Sequence, residues 1–158
     1  MKIRPWLVTV VFLLLFMSKG GNTGPAEFIL EVWDKKGGEK LLQFPIQSGE
    51  FFYLKTIHSL ALTPYTHIYK FDDEGNIILS GAIFESGGGG YPVTGDGVFS
   101  VVDGKFRMDQ MNRFVGKLRF RVSPVSQDTF SLGDLEVPLY KRVPEGTLIE
   151  ISISKGKE

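Results

Sequence analysis

Short runs of alternating apolar and polar residues, each cut off by glycine, proline, asparagine or aspartate, fill the chain from residue 28 onward and constrain its fold more than any other feature. Successive residues of a strand face opposite ways, so period-two alternation over four to eight residues describes a half-buried strand. Such runs cover residues 28–33, 41–46, 50–59, 65–71, 77–84, 98–102, 105–108, 115–122, 129–131, 136–137 and 148–153. Pro45 marks the second as an edge strand or a strand end, because proline cannot donate to a ladder. Asp103-Gly104 between two apolar runs is a two-residue hairpin signal. In 115–122 the alternation puts Val115, Lys117, Arg119 and Arg121 on one face and Leu118, Phe120 and Val122 on the other. Only residues 107–114, with Met108, Met111 and Phe114 at helical spacing, suggest a single helical turn. Turn signals every eight to twelve residues imply an all-β domain, a small barrel or sandwich of about nine or ten short, mostly antiparallel strands.

The first residues do not belong to that pattern. Lys2 and Arg4 precede the apolar run 6–17, WLVTVVFLLLFM, which gives way to the Gly-rich stretch SKGGNTG. Twelve residues rise about 18 Å as a helix, short of the roughly 30 Å hydrocarbon core of a bilayer. A basic start, a short apolar run and a polar exit is the layout of a secretory signal. The Lys/Arg bias keeps the N-terminus cytoplasmic and sends everything downstream out. There is no A-x-A cleavage site, only Ser18-Lys19-Gly20, so an uncleaved anchor competes with a removed leader, and without cysteine it cannot be lipidated. The expected organisation is a signal peptide or membrane anchor over 1–19, a flexible tether over 20–26 and an all-β domain over 27–158. Localisation follows: tethered to the outer face of the cytoplasmic membrane, or secreted or periplasmic if the leader is cut, with membrane contact only through the N-terminal segment.

Charge and cysteine content exclude several classes of function. The 18 basic and 18 acidic residues balance, and beyond residue 19 the balance is 15 to 18, slightly acidic. A nucleic-acid binder needs a basic excess, so nucleic acid is excluded as a partner. The absence of cysteine excludes disulfides, thiolate metal sites and cysteine nucleophiles. Asp72-Asp73-Glu74 lacks EF-hand spacing and reads as a solvated hairpin tip.

His58 and His67, the two histidines, fall in one expected hairpin. A four-residue loop over 61–64 would set them directly opposite, with Cβ atoms about 4.5–5.5 Å apart, near enough to share a proton, water or metal. Their face also carries Phe52, Leu54, Thr56, Tyr65, Tyr69 and Phe71. Two readings compete: half-buried residues capping a hairpin through backbone hydrogen bonds, or a ligand site. As metal ligands the pair is weak, since two ligands alone rarely hold zinc. A one-residue register slip would part them. Ser59 beside His58 suggests a hydrolase, but adjacent strand residues face opposite ways and cannot form a nucleophile–base contact.

Two further groups have a binding and a bland reading. Gly88, Gly89, Gly90 and Tyr91, within SGGGGYP, allow close backbone approach to an anion or a lid over the histidine end, although no P-loop lysine or helix follows. The plain alternative is a bulged connection that only glycine can make. Arg119 and Arg121 form, with Lys117, a strip suited to a small carboxylate, or a solvated sheet face neutralised by nearby acids.

Ile57-His58-Ser59, Thr63-Pro64, Tyr69, Phe84-x-Ser86-x-Gly88-Gly89-Gly90-Tyr91-Pro92, Leu118-x-Phe120-Arg121-Val122 and Pro144-Glu145-Gly146-Thr147-x-Ile149 resemble the domain-of-unknown-function family 1850, over roughly residues 28–153. The family usually has an acidic residue after Thr-Pro where this chain has His67. The resemblance implies a small exported protein encoded beside TAXI-type TRAP transporters, with that transporter or its solute receptor as partner. The expected function is an exported, non-catalytic accessory or ligand-binding module of a solute-uptake system, without cofactor. A structural envelope protein is the alternative, and a weak hydrolase using His58 or His67 as base a second one.

Overall fold

The computed structural model describes residues 28–85 and 97–156. The expected leader over 1–19, the tether and the glycine loop with Gly88, Gly89, Gly90 and Tyr91 lie outside the described residues.

Among the described residues twelve strands form two antiparallel sheets: β1 Phe28–Asp34, β2 Glu39–Ile46, β3 Phe51–Ile57, β4 Pro64–Phe71, β5 Ile77–Phe84, β6 Val98–Val102, β7 Lys105–Asp109, β8 Arg113–Gly116, β9 Leu118–Arg121, β10 Thr129–Leu132, β11 Leu135–Pro138 and β12 Leu148–Lys155. The small sheet runs β2-β1-β12-β9 and the large one β11-β10-β3-β4-β5-β7-β6, with β8 also on β5. The sheets do not close on each other, which corrects the barrel alternative, and the described strands exceed the nine or ten expected, one of the additions arising because 113–121 is cut in two. That cut lies at Gly116, φ +69°, where the chain leaves the large sheet and enters the small one. The alternation read through 115–122 is therefore not one strand, since the left-handed bend at glycine re-aims everything after it.

The expected helical turn over 107–114 is absent as well. Met108 and Met111 are buried, but Phe114 is exposed, because Gln110 (φ +58°) and Asn112 (φ +45°) break the run into two strands. Pro45 does lie on an edge strand, β2. Asp103 (φ +51°) and Gly104 (φ +75°) make the tight β6–β7 turn. Asp72 accepts the Glu74 and Asn76 amides and so builds the acidic β4–β5 tip.

Both sheets bury their inner faces in one core. Leu30, Val32, Ile149 and Ile151 of the small sheet meet Phe52, Phe71, Ile77 and Phe130 of the large one. A second cluster, Tyr65, Ala82, Phe84, Met108 and Met111, continues this face toward β7. The outer face of the large sheet has no covering layer among the described residues, and it carries the candidate site.

Candidate ligand site

The β3–β4 register sets the histidines apart. His67 lies opposite Leu54, and Tyr65 opposite Thr56, so the partner is shifted by four residues from the one expected. An even shift keeps the face but moves the partner. The strand ends at Ile57, and a six-residue turn, 58–63, replaces the expected four-residue loop, with Pro64 inside the ladder opposite Ile57. Leu54 and His58 are four residues apart, roughly 13 Å of strand, too far for two imidazoles to share anything. His58 instead organises its own turn: its Nδ1 accepts the Ala61 amide at 3.2 Å, its carbonyl the Leu62 amide at 2.8 Å, and its own amide donates to Thr63 O at 2.9 Å. Ser59 is exposed on that turn.

His67 faces the core. Its ring lies 4.5 Å from Tyr65 and 6.0 Å, stacked, from Tyr69, and its Nδ1 is buried with no hydrogen-bond partner. Burial pushes its pKa down to about 4, so it is neutral at pH 7. Burial also raises the Tyr69 phenol, with Tyr65 adding to the shift. Neither residue lines the cleft on the outer face of the large sheet, and the two histidines do not face each other. Among the described residues no three metal-ligating side chains cluster.

Arg119 and Arg121 sit on the small sheet, whereas His67 belongs to the large one. Arg119 holds Glu150 through Nε and Nη2, each at 2.6 Å, and Lys35 joins at 3.4 Å. Burial would raise the Glu150 carboxyl, but these cations outweigh it and hold it below its ordinary value. Arg121 Nη1 donates to Gly146 O at 2.9 Å. The strip is spent on structure.

The outer face of the large sheet carries a cleft of about 650 Å³. It exists because β3 and β4 place Phe51 opposite Lys70 and Tyr53 opposite Ile68, all facing away from the core. A bulge between Ile68 and Tyr69 then sets Ile68 against Gly81 and frees Ser80 from the ladder. Ser80 O accepts the amide of Met111 at 3.0 Å, which draws residues 110–112 over β5. Met111 plugs inward while Gln110 and Asn112, both left-handed, turn toward the cleft rim. A non-glycine residue in that conformation costs on the order of 1–2 kcal/mol, and such strain concentrates at functional sites.

Across the cleft, Arg107 Nε donates to both oxygens of Asp109, at 2.9 and 2.7 Å, which raises the guanidinium pKa. Lys70 Nζ donates to Asn112 Oδ1 at 2.8 Å. That partner is neutral, so the contact orients the ammonium without cancelling its charge. Lys70 and Arg107 against Asp109 leave the lining one positive charge in excess.

Gly81 packs beneath Ile68 and against β7. A Cβ there would stand 2.5 Å from Met108 O and 3.6 Å from Ile68 Cδ1. Gly81→Ala forces β5 and β7 apart and is expected to cost about 1–3 kcal/mol, the range for overpacking. Chemical denaturation checks this, and an unchanged midpoint would mean that the two strands are free to separate.

Sequence reasoning passed over Phe51, Tyr53, Lys70, Asp109 and Asn112. One signal was present: Phe51 and Tyr53 occupy the parity of β3 that should face water, where aromatic residues are out of place.

Residues 52–139 match the family described as Domain of unknown function (DUF1850), more than half of the 158 residues. The chain belongs to the DUF1850 family. Comparison with curated proteins and with solved structures gave no match. The DUF1850 match takes in β3 through β11, hence the large sheet and all of the cleft except Phe51. The small-sheet strands β1, β2 and β12 lie beyond it.

Proposed function

We propose that this DUF1850 domain is a non-catalytic module that binds a small organic acid with an apolar body in the cleft of its large sheet. The observation that carries this reading is the pairing of Lys70, held by a neutral amide, with Phe51, Tyr53, Ile68 and Ile83 on one concave surface. An ammonium and a guanidinium recognise a carboxylate, while the aromatic and aliphatic floor takes the hydrocarbon part. The basic start and apolar run at residues 2–17 support an exported location, anchored or released. An exported acid-binding module suits an accessory role beside a solute-uptake system of the TRAP type, with the transporter or its solute receptor as partner.

Ser80 lines the cleft, but Lys70 is held by Asn112 and Asp109 by Arg107, so binding without conversion is the reading we favour. Titration of the full chain with benzoate and with succinate, followed by amide NMR shifts, tests it. Shifts are expected at Phe51, Tyr53, Ile83 and Arg107, with benzoate the tighter of the two. Lys70→Gln is expected to weaken binding roughly tenfold, as loss of a charged hydrogen bond does. Shifts that gather at Arg119 and Arg121, or no shifts with either acid, would overturn the proposal.

A further inference from the structure

One end of the molecule differs in character from the rest. The β3–β4 turn projects Leu60 and Leu62, 78% and 70% exposed, and the loop after β9 projects Val125, 63% exposed. The two loops are joined: the Ile57 amide donates to Ser126 O at 2.6 Å and Thr56 Oγ1 to the same oxygen at 3.2 Å. No Asp, Glu, Lys or Arg occurs over residues 56–69 or 122–127. Three large apolar side chains thus share one uncharged, convex tip, where water offers them nothing.

The backbone of the tip is largely self-satisfied. His58 takes the Ala61 and Leu62 amides, and Ser123 takes those of Val125, through its hydroxyl, and Gln127. The Ser126 hydroxyl donates to the buried Asp128. A loop that meets its own hydrogen bonds can leave water without the several-kcal/mol penalty of bare amides. Leu62 holds its place at φ +53°, a conformation that leucine rarely adopts.

Charge is distributed unevenly between the two ends. Around the apolar tip stand Lys35, Lys36, Arg121, Lys141 and Arg142, of which Lys35 already pairs with the buried Glu150; the acids there are Asp34, Glu39 and Glu145, exposed or half-buried, and the buried Asp128. Asp34 is turned onto the amides of Lys36 and Gly37, and Glu85 and Lys105, further along the sheet, pair with each other. At the opposite end Glu50, Asp72, Asp73, Glu74 and Asp134 stand against Lys70, Lys117 and Lys155 among the described residues. An anionic surface would repel the second end and accept the first.

We infer that the end bearing Leu60, Leu62 and Val125 docks on an anionic lipid surface, its side chains entering the interface and the flanking lysines and arginines meeting headgroups. Exposed leucines backed by cations are the combination that peripheral membrane binding needs, since apolar burial and headgroup attraction add. The geometry accommodates an N-terminal anchor. Phe28 enters at the acidic end, against Gly75, and the eight residues 20–27 reach at most roughly 26–29 Å. Strands of seven or eight residues span about 25 Å, so a domain held at its acidic end can still lay its apolar end on the same membrane.

The cysteine-free chain permits one labelled position at a time. Leu60→Cys and, separately, Asp73→Cys in the full chain are labelled with an environment-sensitive nitrobenzoxadiazole dye. Each is mixed with vesicles of phosphatidylcholine containing one third phosphatidylglycerol. The dye at 60 is expected to blue-shift and brighten several-fold, less so in pure phosphatidylcholine or high salt, while the dye at 73 stays water-like. The dye reports only its own surroundings, so binding through residues 6–17 does not move the readout. Leu62→Gly removes the side chain and relieves its backbone, so it should weaken the response roughly tenfold while leaving or raising the melting temperature. A dye at 60 that stays water-like, whether the protein is on or off the vesicle, overturns the inference, as does insertion at 73. A tip made to dock on a protein would give the first of these results.

Discussion

Phe52→Ala is expected to lower the unfolding free energy by about 3–5 kcal/mol. Phe52 is fully buried and its ring is the hub of the core. Tyr69 and Phe71 stack on it at 4.8 and 5.4 Å, and Phe130 approaches at 5.7 Å. These rings come from β3, β4 and β10, so the cavity would open where three strands of the large sheet meet the small one. The surrounding rings are rigid and held by their own ladders, which limits collapse into the space. Urea denaturation of both proteins measures the difference. A loss under about 1 kcal/mol would show that Phe44, stacked on Phe130 at 5.9 Å, swings in to fill the gap.

The second large effect is a dependence on pH that belongs to His67. Its folded pKa lies near 4, below the unfolded value of 6.5, because burial between Tyr65 and Tyr69 penalises the imidazolium. Between those values the unfolded chain binds more protons, so stability is complete above pH 6.5 and falls as pH drops toward 4. The loss at pH 4 amounts to about 3 kcal/mol. Carboxylates whose pKa values are depressed, Asp72 and Glu150 among them, lose their contribution only below about pH 4.5, so the interval from 6.5 to 5 isolates the histidine. His67→Phe keeps the stack and removes the titration. Its stability should stay flat over that interval while the parent chain weakens, and parallel curves would sink the assignment. NMR titration of the imidazole gives the same answer directly.

The fold class was legible because strand alternation is local. A residue reports its face through its neighbours two positions away, which is why the hairpin at Asp103-Gly104, the edge at Pro45 and the acidic tip at Asp72 stand where they were expected. What the alternation could not carry was the handedness of single residues. Gly116, Gln110 and Asn112 turn the chain with positive φ, and the two polar residues give little warning of it. One strand became two in different sheets, and an expected helical turn became a rim.

The histidine pairing failed for a related reason. Parity was right, so His67 lies on the inner face with Tyr69 and Phe52, but turn length decides register, and a His58 side chain that caps its own turn lengthens it by two residues. Arg119 was legible as a cation on an exposed strand. Its engagement with Glu150, thirty-one residues away, was not, because only the β9–β12 ladder brings them together. The cleft needed a bulge at Ile68 and Tyr69, which no spacing announces.

The first described strand pairs with the last: Phe28 of β1 lies opposite Lys155 of β12, with Leu30, Val32, Ile149 and Ile151 all fully buried between the sheets. In chain order, then, β1 and β2 come early and wait. The large sheet can zip as its hairpins appear, yet its inner face stays open until the eight-residue β12 arrives to bridge β1 and β9. Long-separation pairing of this kind is slow to form and leaves apolar surface uncovered meanwhile. For this chain, the arrival of β12 and the closure of the core are one event.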